Sequence, residues 1–127
     1  MPDPIGLKFA RTHEWVHIDG DIATIGISDH AQEELGDVAL ILFPEVGQVF
    51  QVEEKFGEVE SIKAVSDLYV PVSGEVIQVN EKLNVHPELV NDSPEDEGWM
   101  IRVKMRNVGD LDSLLTADEY EKHLQES

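Results

Sequence analysis

The sequence PEVGQVFQVEEKF at residues 44–56 recurs 27 positions later as PVSGEVIQVNEKL at residues 71–83, with seven of the thirteen positions identical. Each copy places a Pro-x-x-Gly turn before an alternating strand, where proline fixes φ and glycine accepts a left-handed conformation. Because neither short unit can bury a face alone, we expect the copies to pack together around a quasi-twofold axis. A chance likeness of two turn–strand segments is the alternative. The repeat predicts a mainly β fold.

The midpoint of the repeat falls between Lys63 and Ala64. Residues 57–70 around it have the pattern of a strand, a turn and a strand, so Lys63 is predicted near the tip of a protruding hairpin. Lys63 is the only basic residue between Lys55 and Lys82, and it is close in sequence to Glu58, Glu60 and Asp67. An ordinary solvated lysine is the alternative. A lysine on a rigid tip suits an enzyme that attaches a prosthetic group through an amide.

Local signals predict the elements before the repeat. Residues 15–18 and 22–27 alternate in polarity on either side of a turn at 19–21, which is typical of a β-hairpin. Ser28 is predicted to cap a short helix that ends at Leu35, with Gly36 in a left-handed conformation. The apolar run at 38–43 predicts a strand buried on both faces.

Further signals follow the repeat. Residues 86–90 suit one helical turn, and residues 99–105 suit a strand with Trp99, Ile101, Val103 and Met105 on one face. The tail is predicted to be helical, because Thr116 and Glu119 have capping-box spacing. Three apolar residues would form the buried stripe of this helix, namely Leu115, Tyr120 and Leu124.

Length and composition exclude several classes of function. A chain of 127 residues with 41% hydrophobic and 28% charged residues suits one globular domain over residues 1–127. The absence of cysteine excludes disulfides, thiolate zinc sites and cysteine nucleophiles. The formal net charge of −18 argues against nucleic-acid binding and against binding to anionic membranes. The N-terminus lacks a signal or transit pattern, so we expect a complete cytoplasmic chain from a bacterium.

No catalytic constellation is visible among the chain's own side chains. The five histidines, including His13 and His17 on either side of Trp15, lack metal-ligand spacing and are interpreted as structural or solvated. No phosphate-binding loop and no nucleophile elbow occur. The sequence therefore predicts no catalytic residue and no metal site.

Lys63 lies in the stretch Glu60-Ser61-Ile62-Lys63-Ala64, which is followed by Ser66-Asp67 and by the second repeat copy at residues 71–76. These residues resemble the lipoyl-attachment region of the glycine cleavage H-protein family. The resemblance extends to His13-Glu14-Trp15, to residues 26–32, 35–37 and 44–47, and to residues 88–91, 98–99 and 111–115. Ile62 stands where the family often has valine, and Glu95 stands where a tyrosine commonly follows the proline.

The resemblance implies a hybrid barrel-sandwich of the lipoyl and biotinyl type with an N-terminal hairpin, short helices and a C-terminal helix. Its lipoyl-type core would span about 22–105 and its helical tail about 110–125. The protein would be a carrier and not an enzyme, with lipoate attached covalently to Lys63.

The implied partners are those of the glycine cleavage system. The lipoyl arm would take an aminomethyl group from the pyridoxal-phosphate-dependent glycine decarboxylase and deliver it to the tetrahydrofolate-dependent aminomethyltransferase. It would then pass reducing equivalents to dihydrolipoyl dehydrogenase, and lipoate-attaching enzymes would load Lys63. The resemblance also implies a cleft for the loaded arm with Thr12, Glu14 and Asp67 in its polar lining, and with Trp15 among the groups that exclude water.

Four other functions are alternatives, and the sequence argues against two of them. A lipoyl module of a 2-oxoacid dehydrogenase would be shorter and would precede a Pro/Ala-rich linker, whereas this chain has flanking elements and no such linker. A biotin carrier would have methionine on both sides of the lysine, where this chain has Ile62 and Ala64. A relative that donates lipoyl groups to other acceptor domains is not separated by sequence. A purely structural acidic β-protein is the fourth alternative.

Overall fold

The computed structural model describes residues 7–126 and contains nine strands and four α-helices in that part of the chain. The elements are, in chain order, β1 (Lys8–Phe9), β2 (Glu14–Asp19), β3 (Ile22–Ile27), α1 (Asp29–Leu35), β4 (Val38–Leu42), β5 (Val49–Phe50), β6 (Lys55–Ser61), β7 (Val65–Tyr69), β8 (Gly74–Val79), α2 (Lys82–Val85), α3 (Leu89–Asp92), β9 (Ile101–Met105), a 3-10 helix (Val108–Ser113) and α4 (Ala117–Glu126). No helix within this described part is long and apolar enough to cross a bilayer.

The strands form two antiparallel sheets. One has six strands in the order β1–β2–β3–β9–β8–β5, and the other has three in the order β4–β6–β7. A single core combines side chains of both sheets, such as Ile25 and Val103 from the larger and Val59 from the smaller. The sheets therefore pack against each other. This confirms the mainly β prediction and is consistent with a barrel-sandwich; the proposed division at 22–105 and 110–125 stays a prediction.

The C-terminal helix docks through a second, smaller core on the β1 side. The Phe9 and Tyr120 rings stack with centroids 4.5 Å apart, and Phe9 exchanges two backbone hydrogen bonds with Leu115. The capping box forms as predicted: Glu119 N–H donates to Thr116 Oγ1 at 3.2 Å, and Thr116 N–H donates to Glu119 Oε1 at 2.9 Å. Leu115 and Tyr120 are buried in this core and Leu124 packs against it, so the three residues share one core as predicted, although Leu115 precedes α4 and is not part of the helix.

Local signals around α1 were also good predictors. β2 and β3 pair through a two-residue turn, as the hairpin pattern predicted. Ser28 Oγ accepts from the N–H of Ala31 at 3.2 Å, which confirms the cap. Gly36 has φ 77°, the positive φ predicted for the glycine that ends α1, but its ψ of −156° is not that of a left-handed helix. Glu95 Oε2 accepts from the N–H of Asp29 at 3.0 Å, which gives this departure from the family pattern a contact at the start of α1.

The prediction that residues 38–43 are buried on both faces is wrong. Only Val38 and Ile41 are buried in β4, while Leu40 and Leu42 are 43% and 44% exposed. β4 is the edge strand of the smaller sheet, and that sheet has core on one side only. The continuous apolar run is thus half-buried.

Two other boundaries also differ from the prediction. Of residues 86–90, where one helical turn was predicted, only Leu89 and Val90 are helical, at the start of α3; residues 86–88 lie between α2 and α3. Ile101, Val103 and Met105 share the buried face of β9 as predicted, but Trp99 precedes the strand and packs on the smaller core. The Arg102 guanidinium lies 4.0 Å from the centroid of the Trp99 ring.

The two copies of the repeat contact each other as predicted, because β5 of the first copy pairs with β8 of the second. Their backbones diverge afterwards. Lys55-Phe56 begins β6, whereas the equivalent Lys82-Leu83 begins α2, although Phe56 and Leu83 are both buried. A tight turn with Glu53 at φ 71° ends the first copy's strand early. The two copies therefore bury the equivalent residues Phe56 and Leu83 but place them in different secondary structure.

The two repeat glycines serve different purposes, which a pair of substitutions can separate. Gly47 has φ 96° and open space around it, whereas Gly74 has no positive φ but a Cβ built on it would lie 2.1 Å from the Lys104 carbonyl oxygen. The left-handed role predicted for Gly74 is therefore wrong. We expect Gly47→Ala to lower the free energy of unfolding by about 1 kcal/mol. Gly74→Ala should lower it by about 2 kcal/mol, because the β8–β9 pairing must move. Equal losses in urea titrations would contradict this distinction.

Candidate functional site

Lys63 lies at the tip of the β6–β7 hairpin. Glu60 pairs with Val65, and Ser61 N–H donates to the Ala64 carbonyl at 2.8 Å, so the centre of the hairpin falls between Ile62 and Lys63. Ser61 Oγ accepts from the N–H groups of Lys63 and Ala64 at 3.3 Å and 3.1 Å. The tip predicted from the repeat midpoint is confirmed to within one residue.

The tip is fastened to the end of α1. Ile62 N–H donates to the Asp37 carbonyl at 3.1 Å. The Lys63 side chain is exposed and passes over Gly36, since a Cβ built on that glycine would lie 3.3 Å from Lys63 Cε. The fold therefore sets the direction in which the lysine leaves the hairpin.

The carboxylates near Lys63 in sequence do not neutralise it. Lys55 Nζ lies 3.3 Å from Glu58 Oε2 and 3.1 Å from Asp67 Oδ1, and the hydrogen bond that Lys55 donates to Asp67 contributes most to raising the pKa of Lys55. Within residues 7–126 no carboxylate comes within ion-pairing distance of Lys63 Nζ. The amine at the tip is therefore accessible to an acylating enzyme.

A groove of about 310 Å³ begins beside the tip. Ala64 and Val65 of the hairpin line it together with α1 and the turn before β2. Its apolar wall consists of Ile27, Ala31, Leu35, Val59 and Leu68. Its polar lining consists of Thr12, His13, Glu14, His30, Glu34, Ser66 and Asp67. Thr12, Glu14 and Asp67, the residues predicted for a cleft, thus lie along one groove next to Lys63.

Glu14 is the buried charge of this groove. It is 1% exposed, its carboxylate accepts a hydrogen bond from the Thr12 hydroxyl, and Tyr69 N–H donates to Glu14 Oε2 at 3.1 Å. Burial raises the pKa of Glu14 to about 7, against the lowering effect of both hydrogen bonds. At pH 7 the Glu14 carboxyl is therefore protonated in about half of the molecules. A cation that enters the groove would favour the ionised form.

Asp67 and Trp15 differ from the roles that the sequence suggested. The Asp67 carboxylate is 45% exposed and ion-paired with Lys55, so it belongs to the rim and is already partly neutralised. Trp15 is fully buried in the smaller core, where its indole N–H donates to the Pro94 carbonyl at 2.8 Å, and it does not line the groove. Water is excluded there by the apolar wall and not by Trp15.

Sequence analysis missed His13, His30 and Glu34 as lining residues. The His30 and Glu34 side chains lie one turn apart on α1, with 3.7 Å between Nε2 and Oε1. Their i, i+4 spacing on a capped helix was the available signal. Among the described residues, no group of three or more His, Asp or Glu side chains has an arrangement that could hold a metal ion.

Comparisons with known proteins agree on one family. The family model for the glycine cleavage H-protein matches residues 7–127. A glycine cleavage system H protein of Rubrobacter xylanophilus is 54% identical over 123 residues, which cover 97% of this chain and 95% of that protein. One of Geobacillus kaustophilus is 50% identical over 126 residues, 99% of each chain. The crystal structure of a glycine cleavage system H protein from Mycobacterium marinum superposes with a TM-score of 0.88 at 36% identity, covering 97% of this chain and 99% of that one.

Proposed function

The chain belongs to the glycine cleavage H-protein family, and on that premise we propose that it is a lipoyl carrier with lipoate attached through an amide to Nζ of Lys63. The observation that carries this assignment is the position of Lys63: an exposed amine at a hydrogen-bonded hairpin tip beside a groove, with no ion pair to any carboxylate of residues 7–126. Attachment needs an amine that an enzyme can reach without breaking an ion pair. Lys63 meets this requirement, whereas Lys55 is held by two carboxylates.

The surroundings of Lys63 fit a lipoyl group. The groove offers an apolar wall for a hydrocarbon arm and a buried carboxyl, Glu14, for a cationic cargo. When bound, lipoate supplies a cyclic disulfide that accepts a transferred one-carbon unit and afterwards holds two electrons as a dithiol. Because the chain has no cysteine, it has no thiol that could compete in this exchange.

We assign the residues of the groove different parts in holding a cationic amine. Glu14 pairs with the cation, and Thr12 orients the Glu14 carboxylate through its hydroxyl. Asp67 contributes less, because Lys55 already neutralises its carboxylate. The apolar wall excludes water from the paired charges, which strengthens their attraction.

In this proposal the carrier docks in turn on glycine decarboxylase, aminomethyltransferase, dihydrolipoyl dehydrogenase and the enzymes that attach lipoate. It is a component of the system and contributes no catalytic residue of its own. A cytoplasmic location stays a prediction, which cell fractionation would test.

Intact mass and reconstitution together test the assignment. Protein from a host that can lipoylate should gain one lipoyl adduct, and the peptide that contains Lys63 should carry it. With the decarboxylase, this protein should then support glycine-dependent CO₂ exchange. No adduct would overturn the proposal; an adduct without exchange, but with lipoyl transfer to another acceptor domain, would indicate a relay protein instead.

Glu14→Gln should shorten the lifetime of the carried one-carbon unit. Glutamine keeps the shape and most hydrogen bonds of the glutamate but cannot pair as an anion with an ammonium group. We expect hydrolysis, measured as released formaldehyde and ammonia at pH 8, to accelerate roughly tenfold, as loss of one charge-assisted hydrogen bond allows. Glu33→Gln on the exposed side of α1 is the control. An unchanged release rate in Glu14→Gln would remove Glu14 from this role.

A further inference from the structure

Three histidines meet where α4 contacts the wall of the groove. His13 belongs to the turn before β2, His30 to α1 and His123 to α4. The His13 ring centroid lies 5.1 Å from that of His30 and 6.1 Å from that of His123. His13 and His30 line the groove, and His123 of α4 lies beside His13. Three titratable rings from distant parts of the chain thus share one contact.

A hydrogen-bonded chain runs through the same contact. Tyr120 Oη of α4 lies 2.7 Å from His13 Nδ1 and 2.7 Å from Ser28 Oγ, the cap of α1. With neutral His13, Ser28 O–H donates to Tyr120 Oη, and Tyr120 O–H donates to Nδ1. With Nδ1 protonated, every bond of this chain reverses and none is lost. Protonation therefore acts on the contact through charge and burial, not through a broken hydrogen bond.

The charges around His13 come from every element packed on it. Burial lowers the pKa of His13, and His30 and His123 lower it further, while Glu34 on α1 raises it by a smaller amount. From α4, Tyr120 faces the ring; burial raises the pKa of Tyr120 to about 12, so its hydroxyl stays neutral. Three carboxyl groups act on Tyr120 from around it, those of Glu95, Glu14 and Glu121. Lys8 and Arg11 act on Glu119 in the capping box and not on the imidazoles.

We propose that α4 is an acid-sensitive latch on the groove: protonation of His13, His30 and His123 places like charges in one contact, and α4 then loosens from the groove wall. The latch is closed when the three rings are neutral. The contribution of His13 to stability is lost as the pH falls below 6.5 towards its lowered folded-state pKa, because the released chain binds the proton more tightly. The inference concerns this chain's own side chains and does not depend on lipoate.

Loosening should be local. Because the net charge is −18, added protons relieve charge repulsion elsewhere in the molecule. We therefore do not expect mild acid to loosen the two sheets. The three-histidine contact brings positive charges together, and Glu34, whose Oε1 lies 3.7 Å from His30 Nε2, offsets part of their repulsion. The central strands β3 and β9 therefore provide an internal reference within the same protein.

Amide hydrogen exchange of the full-length protein at pH 7.5 and pH 5.5 tests the latch. Protection factors, which correct for intrinsic exchange, should fall roughly fivefold or more in α4 and should not fall in β3 and β9, because proton uptake by Glu14 stabilises the fold over this pH range. In the double variant His30→Gln/His123→Gln the fall in α4 should be less than about twofold. The matched control is His17→Gln/His86→Gln, which removes the two histidines outside the contact and should behave as the unsubstituted protein.

Two results would overturn the latch. One is that the protection factors of α4 fall no further between pH 7.5 and pH 5.5 than those of β3 and β9. The other is a control variant that abolishes the pH dependence as completely as the cluster variant does. A third measurement needs no variant: in an NMR titration, His13 should protonate at lower pH than the histidines of the urea-unfolded chain, and protonation at equal or higher pH also contradicts the proposal.

Discussion

Lys63→Arg is expected to leave the protein folded and to prevent lipoylation entirely. Arginine keeps the positive charge and much of the length of lysine, but its guanidinium stays protonated and is a poor nucleophile for acylation. Because Lys63 is exposed and forms no ion pair in the described part of the chain, its replacement should change the free energy of unfolding by at most about 0.5 kcal/mol. Intact mass and urea titration give the two readouts, and glycine-dependent CO₂ exchange should fall to background.

The control for this experiment is Lys55→Arg. Lys55 lies on the same hairpin, and arginine can keep its ion pairs with Glu58 and Asp67. This variant should still gain one lipoyl adduct, as should Lys82→Arg on α2. An adduct on Lys63→Arg would show that the carrier lysine is another residue. Unfolding of Lys63→Arg would show instead that Lys63 has a structural role that its contacts do not reveal.

The features predicted correctly from the sequence are those whose cause is local. The β2–β3 turn, the Ser28 cap and the capping box at Thr116 depend on residues within a few positions of each other. The Lys63 tip was also predictable, since an internal repeat makes the symmetry of the fold visible in the sequence. In each case a short-range rule and the tertiary structure demand the same conformation.

The features that sequence reasoning missed depend on distant contacts. Burial of β4 on one face follows from its place at a sheet edge, which an apolar run does not disclose. Asp67 pairs with Lys55 because β6 and β7 are adjacent, and Trp15 points into the smaller core because α4 and its neighbours provide that core. The histidine contact joins residues up to 110 positions apart, and no local spacing signals it.

Glu14→Gln is expected to stabilise the protein at alkaline pH and not at acid pH. The pKa of Glu14 is raised from 4.5 to about 7, chiefly by burial. The folded state thus keeps a proton that the unfolded chain releases, so this group's contribution to stability is fully present below pH 4.5 and is lost as the pH rises through 7. A shift of this size corresponds to about 3 kcal/mol between the two limits. Glutamine has no charge to bury at any pH.

The measurement is the difference in unfolding free energy between Glu14→Gln and the unsubstituted protein. From pH 4.5 to pH 8 this difference should move by about 3 kcal/mol in favour of the variant, and the comparison cancels every effect that does not depend on pH. Glu33→Gln on the exposed side of α1 should show a change of less than about 0.5 kcal/mol. A flat difference for Glu14→Gln would mean that its carboxyl is solvated or fully paired in the folded state.

Stability and cargo retention should therefore separate at this one residue. The same variant that gains stability at pH 8 is expected to release the carried one-carbon unit faster, because the cost of burying the Glu14 charge is recovered only when a cation enters the groove. A surface role for Glu14 predicts neither change, and a purely structural role predicts a loss of stability at every pH. Opposite signs for stability and retention in one isosteric variant would thus distinguish a buried carboxylate kept for its ligand from one kept for the fold.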